Sequence, residues 1–297
     1  TSRKFFVVGA RGVLLLSSAG REATATSVAA LTAHNRCGTA LCKDRALMVR
    51  GIRALISKTA PGKLTGSGKF RCYRATSMET GRPEGPKLRG ITKLLTARVY
   101  SAAPLPSVST WRGGAWAGAE GGLRRGRAVD SQVSRLANLG VLARRGARML
   151  KLTRLAFDAL AQHNLVPVGS QRVVIDKARR LGTAIDIVCT RGAHELVLVE
   201  LKCGFSGSRA LGSGAMFQKP FSRAKDCALH RHFAQLSATL HLFEREEATL
   251  AKLATKGVDT VSAVLLYVDN AASEKFELPM WWRKRGGPLL GSISSAR

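Results

Sequence analysis

Leu181-Gly-Thr-Ala-Ile-Asp-Ile-Val-Cys189, the link Thr190-Arg-Gly-Ala-His194, and Glu195-Leu-Val-Leu-Val-Glu-Leu-Lys202 decide how this chain folds. Two β-rich segments flank a short turn containing Gly192, the pattern of a β-hairpin. Leu and Val fill both alternation phases of the second segment from Leu196 to Val199. That predicts a central strand buried on both faces. Strand alternation then sets Glu200 and Lys202 on one face, and the hairpin brings Asp186 alongside. Two converging carboxylates repel each other unless a cation lies between them. Hard oxygen ligands select magnesium or manganese. The plainer alternative, a surface ion pair between Glu200 and Lys202, is disfavoured because the preceding apolar run offers no solvated face.

Outward from this hairpin the pattern stays regular. Residues 127–162 show helical spacing of Val129, Val133, Leu136 and Leu139, then of Met149, Leu152, Leu155 and Leu160. Val166-Pro-Val168 is expected to end that run, and a strand is expected over Arg172–Ile175. After the hairpin come a Gly/Ser loop (Gly204–Gly214), a helical stretch (Arg223–Lys256) and an apolar strand (Val261–Val268). The prediction is an α/β domain over residues 126–297, with a central mixed β-sheet flanked by helices. Residues 1–125 are expected to form a basic helical and loop-rich N-terminal region. Residues 28–57 have helical periodicity, and residues 61–122 read as a Gly/Pro/Ser-rich linker or arm with one short helix near Leu88–Val99. Trp111 and Trp116, set among glycines and cations, either stack bases or pin that arm to the core.

The Asp186…Glu200-Leu-Lys202 arrangement resembles the PD-(D/E)XK nuclease superfamily, and within it the RecB-like exonuclease branch. The resemblance covers roughly Gly126–Val268. It includes His232-Phe-Ala-Gln-Leu-Ser-Ala-Thr239, where Gln235 matches the branch's Gln-bearing helix. It also departs in places. Gly126-Arg-Ala-Val-Asp130 puts Asp130 where the branch has a metal-touching His, Gln171 replaces a Glu ahead of the hairpin, and Ile185 stands where the superfamily's name has Pro. The resemblance implies a restriction-endonuclease-like core that hydrolyses DNA phosphodiesters with Mg2+ or Mn2+, as an exonuclease in recombination, repair or replication. Asp186, Glu200, the Leu201 carbonyl and Asp130 would hold metal, Lys202 would activate water, and Gln235 would position the site. Arg124, Arg125, Gln171, Arg209 and Lys219 would contact nucleic acid. The alternatives are an endonuclease on the same core, or a nucleic-acid-binding protein that keeps the fold without cleavage.

Composition agrees with a polyanionic partner. Lys and Arg number 48 against 19 Asp and Glu, a net charge of +29. Such an excess attracts nucleic acid through release of condensed counterions. No apolar run approaches the roughly 18 residues a bilayer demands, so no membrane partner is expected. The six cysteines form no CxxC pair and none follows Cys227, which predicts reduced thiols, no iron–sulfur cluster and an intracellular setting. Residues 1–25, with Glu22 as their single acid, resemble a mitochondrial targeting segment. The nucleus, the mitochondrion and a virus-infected cell all fit. His230, His232 and His241 are expected to be solvated or capping, and Glu244, Glu246 and Glu247 to form a solvated helix face.

Overall fold

The structure, a computed structural model, describes residues 5–9, 12–16, 40–65, 72–77, 79–101, 118–137, 148–204, 212–269 and 272–295. The chain divides into two units, Thr1–Leu47 and Met48–Arg297. In the first, strands β1 (Phe5–Gly9) and β2 (Gly12–Leu16) pair antiparallel with Phe5 opposite Leu16. Helix α1 (Ala40–Lys58) begins there and supplies its turns from Met48 onward to the second.

The second unit is an α/β assembly on a mixed sheet. Its strands are β3 (Gly62–Thr65), β4 (Cys72–Thr76), β5 (Pro83–Gly90), β6 (Leu165–Asp176), β7 (Leu181–Arg191) and β8 (Glu195–Cys203), with β11 (Thr260–Val268) and β12 (Ser273–Glu277). They run in the order β12-β11-β8-β7-β5-β4-β3-β6, and β6 also pairs with β7. A small separate sheet joins β9 (Gly212–Met216) to β10 (Lys225–Cys227). The helices are α2 (Ile91–Arg98), α3 (Gly118–Ala137), α4 (Lys151–Gln162), α5 (Ala228–Glu244), α6 (Glu247–Ala254), α7 (Met280–Arg283) and α8 (Gly286–Ser294). Among the described residues no helix is long and apolar enough to cross a membrane.

Strand β8 is sealed on both sides, as its composition demands. Leu196 and Leu198 pack in one core cluster with residues of α1, α2, α5, α6 and α8, while Val197 and Val199 pack in a second with α3 and α4. The sheet is therefore the middle of three layers. β8 and β11 run parallel, joined through α5 and α6, and α/β folds place ligand sites at the carboxyl ends of such strands.

Strand β7 divides its neighbours. One edge pairs with β6 along the whole strand, from Leu165 opposite Arg191 to Asp176 opposite Leu181. The other edge pairs with β8 over Ile187–Arg191 and with β5 at Leu181 and Gly182. Between these two ladders the sheet forks at Thr183–Asp186. Strands β5, β4 and β3 lead round to β6, which Gly62 meets at Val173, so this side closes on itself.

Two sequence expectations about the sheet need correction. Residues 61–122 are not merely a loop-rich linker: their described part supplies β3, β4, β5 and α2 to the main sheet and core. Gly and Pro are tolerated here because β5 is exposed over Pro83–Lys87 and its ladder with β4 is irregular, where missing donors cost little. Val166-Pro-Val168 lies inside β6 and ends nothing. The register shifts between Pro167 and Gly169, so the proline sits at a bulge. Trp111, Trp116 and Arg209 lie outside the described residues.

Arg172 of β6 locks α1 and α6 onto the sheet. Its guanidinium donates to the Ile56 and Thr59 carbonyls, forms an ion pair with Glu246 and lies 5.4 Å from the Phe243 ring centroid. Glu246 is thus half of a buried pair, not part of a solvated helix face. Glu244 also has a partner, pairing with Arg283 at 2.6 Å. Removing one member of a buried pair strands the other charge. Arg172→Ala is expected to lower unfolding free energy by about 3–5 kcal/mol, measured by urea denaturation, and adding Glu246→Leu should restore much of that loss.

Candidate active site

The carboxyl end of β8 is where polar groups converge. Ile187 faces Val199 in the β7–β8 ladder, so one step further Asp186 comes beside Glu200. The Leu201 N–H, pointing across the fork, donates to Asp186 Oδ2 at 2.9 Å. Glu200 is 2% exposed, and its Oε1 accepts from both Lys202 Nζ at 2.5 Å and Gln235 Nε2 at 2.7 Å. Asp186, Glu200, Lys202 and Gln235 are therefore brought together, from two adjacent strands and the helix that crosses over them.

The backbone is irregular at this point. Ile185 and Val188 pack in the α5-side cluster while Ile187 and Cys189 pack in the α3-side cluster, so alternation slips beside Asp186. The β6–β7 register pairs Arg172 with Ile185 and Ser170 with Ile187, and skips Gln171 and Asp186 between them. Gln171 adopts φ 49°, a left-handed conformation that costs a non-glycine residue roughly 1–3 kcal/mol. Its side chain donates to Asp130 Oδ1 at 2.8 Å. Asp130, on α3, is thus held at the edge of the cluster by Gln171.

Electrostatics make the cluster tense. Burial, and next the charge of Glu200, push Asp186 well above the usual carboxylate range, and Asp130 adds in the same direction. Lys202 and the Leu201 N–H oppose them. Burial alone would lower the Lys202 ammonium, but Glu200 and Asp186 outweigh it and raise Lys202. One ammonium thus serves two buried carboxylates, with a third carboxylate nearby.

The donor set suits a hard divalent cation. Asp186 and Glu200 supply carboxylate oxygens, and magnesium commonly takes one or two carboxylates while keeping several waters. Burial pushes the neighbouring Cys203 thiol up to about 12 with Arg125 opposing, which leaves it protonated and a poor ligand. Among the described residues no group of three or more His, Cys, Asp and Glu side chains is arranged to hold a metal. Backbone carbonyl and water oxygens would have to complete the shell.

The remaining sequence candidates scatter. Arg125 is buried on α3 against Gly204, where an added Cβ would meet its Nη2 at 2.2 Å. Its guanidinium shapes the end of β8 and does not face solvent. Arg124 and Lys219 are exposed. His232, expected to be solvated or capping, and Tyr267, which carried no expectation, also line the site. His232, one helical turn from Gln235, is not solvated: its Nδ1 lies 2.7 Å from the Tyr267 hydroxyl. Burial, then Lys202, hold its imidazole well below its usual range, so it is neutral. Tyr267 on β11 is the register neighbour of Lys202. Together they wall the site on the β11 side. The i, i+3 spacing of His232 and Gln235 was the available signal.

No protein-family model, curated protein or solved structure matches the chain.

Asp186→Asn removes one of two adjacent acids and keeps an oxygen for the Leu201 N–H. Measured by calorimetry in chelator, this variant is expected to be more stable by about 1–2 kcal/mol. Each kcal/mol corresponds to roughly 2–4 °C in a unit of this size. A lower melting temperature would mean the two acids do not repel.

Proposed function

We propose that the protein is a divalent-metal-dependent nuclease that hydrolyses phosphodiester bonds, acting at Asp186, Glu200 and Lys202. The observation that carries this reading is the convergence of Asp186 and Glu200 from adjacent strands on one buried point, with the Lys202 ammonium on Glu200. Folding gains nothing from two neighbouring buried acids, whereas a phosphate-cleaving site needs anionic oxygens that accept a dication. The resemblance to RecB-like nucleases and the +29 charge point the same way, toward DNA and exonuclease action.

Asp186 and Glu200, with the Leu201 carbonyl, would hold magnesium or manganese. A bound metal of this kind supplies Lewis acidity, lowering the pKa of a coordinated water and offsetting charge on the phosphate. Lys202 orients the attacking water and neutralises charge that builds on the phosphoryl oxygens. Gln235 fixes Glu200 Oε1 by its 2.7 Å hydrogen bond, so the acid cannot rotate away. The Leu201 N–H does the same for Asp186. Tyr267 and neutral His232 fill the volume beside Lys202 without adding a competing charge.

A second reading, a nucleic-acid-binding protein without cleavage, is favoured by one observation: Asp130 Oδ1 already accepts from the Gln171 amide, which competes with a metal for that oxygen. Hydrolysis assays separate the two. Wild-type protein is expected to degrade linear DNA in Mg2+ or Mn2+ and to stop in EDTA. Lys202→Ala should lose about 100- to 1,000-fold in kcat with DNA affinity retained. Equal inactivity of both proteins in either metal would establish the second reading. Cutting of covalently closed circles at the linear-DNA rate would replace exonuclease with endonuclease action.

A further inference from the structure

The fork in the sheet leaves an arm on the same side as the site. β7 and β8 are antiparallel, so the start of β7 lies at the end where β8 carries Glu200 and Lys202. β5 runs parallel to β7 and meets it only at Arg89–Gly90, opposite Leu181–Gly182. Pro83–Leu88 therefore extend past the start of β7, alongside the β6–β7 turn at residues 177–180. Two bonds fasten the hairpin to that turn: Arg89 N–H to the Arg180 carbonyl at 2.9 Å, and Arg89 Nη2 to the Arg179 carbonyl at 3.3 Å.

This arm is cationic: Arg179 pairs with Asp176 at 2.7 Å, but among the described residues its other cations have no such carboxylate partner. Arg82, Lys87, Arg89, Lys177 and Arg180 are all exposed. Among the described residues none of the five forms an ion pair. Elsewhere, by contrast, Arg191, Arg231, Lys275 and Arg283 pair with carboxylates. Lys63 and Arg74 donate to the Gly81 and Gly85 carbonyls, which stiffens the hairpin and leaves their charge unneutralised. Arg180 holds φ 54° at a turn where glycine would be less strained. A cleft of about 570 Å³ lies between hairpin and turn, with Lys177 and Arg180 among its lining residues and Thr76 and Ser77 on the hairpin. Glu79 and Glu84 also line it, and Glu84 already accepts the Thr80 hydroxyl at 3.3 Å.

We propose that this hairpin and turn grip the phosphate backbone of the substrate strand away from the scissile bond, acting as a sequence-independent clamp. The inference rests on the nucleic-acid reading above and adds where, and at what distance, the strand is held. Asp186 to Leu181 spans five residues of β7, or about 16 Å at ~3.3 Å per residue. At ~3.4 Å of rise per nucleotide that is about five nucleotide steps. Arg89 is opposite Leu181 and the other clamp charges lie beyond it, so they stand at least that far from the cut, beyond reach of the reacting phosphate.

The test uses the full chain carrying Arg82→Ala, Lys87→Ala, Lys177→Ala and Arg180→Ala together, with binding read separately from cleavage. Fluorescence anisotropy with 30-mer DNA, single- and double-stranded, is measured across a salt series in EDTA. Each lost phosphate contact should flatten the salt dependence by about 0.7–0.9 of a log unit per log salt. The quadruple variant is expected to lose about 2–4 units of slope. Its kcat/KM on the 30-mer should fall, with turnover of a trinucleotide unchanged. Four Lys/Arg exchanges that preserve charge should restore the slope. Unchanged slope and affinity in a wild type that cleaves DNA would overturn the clamp and leave the nuclease reading standing. A flattened slope in a protein that never cleaves would keep the clamp and remove the nuclease. Absence of DNA binding by wild type would overturn the clamp.

Discussion

Asp186 and Glu200 sit side by side at the end of a strand buried on both faces, with one ammonium between them and solvent. Glu200 is almost sealed from water, so the surrounding fold must relieve most of that repulsion. Gln235 reaches from the crossover helix to hold one acid, and the β8 backbone turns an N–H onto the other. The left-handed Gln171 and the slip in β7 alternation reposition the strand at the point where Asp186 must face the site. The left-handed backbone at Gln171 costs stability locally, and local conformational cost of this kind concentrates at functional sites.

The rest of the unit absorbs those costs by being stiff. Arg172 ties the first turns of the unit to the sheet and to α6. Asp226, fully buried, takes Arg231 and the Ser101 N–H, joining the start of α5 to the end of the α2 region. The crossover helix therefore enters from a fixed point, and Gln235 meets Glu200 without a search. The closed run of β3, β4 and β5 has a second role: it leaves β7 exposed to the site on one stretch only, Thr183–Asp186, between its two partners on that edge.

Much of the central hairpin was legible because its signal is local. The Leu196–Val199 run reports burial on both faces, Gly192 reports the turn, and the two-residue spacing of Glu200 and Lys202 reports a shared face. The N-terminal strands were not legible. Their Gly, Pro and cationic residues carry little β-propensity, and they join the sheet through partners about 90 residues away in sequence, as Arg89 does with Leu181. Pro167 misled for a related reason, because a bulge rather than a helix end accommodates it. His232 and Glu246 were misjudged as solvated because their partners, Tyr267 and Arg172, lie on strands distant in the chain. The bond from Gln171 to Asp130 is a tertiary fact with no sequence signature.

The proposed hydrolysis depends on a dication binding between two particular acids. Crystals soaked in manganese, with data collected to record anomalous scattering, test this without any assay of turnover. The prediction is one strong anomalous peak bridging the Asp186 and Glu200 carboxylates, lost in Asp186→Asn crystals. A map with no peak there, or with manganese only at sites untouched by these two residues, would contradict it.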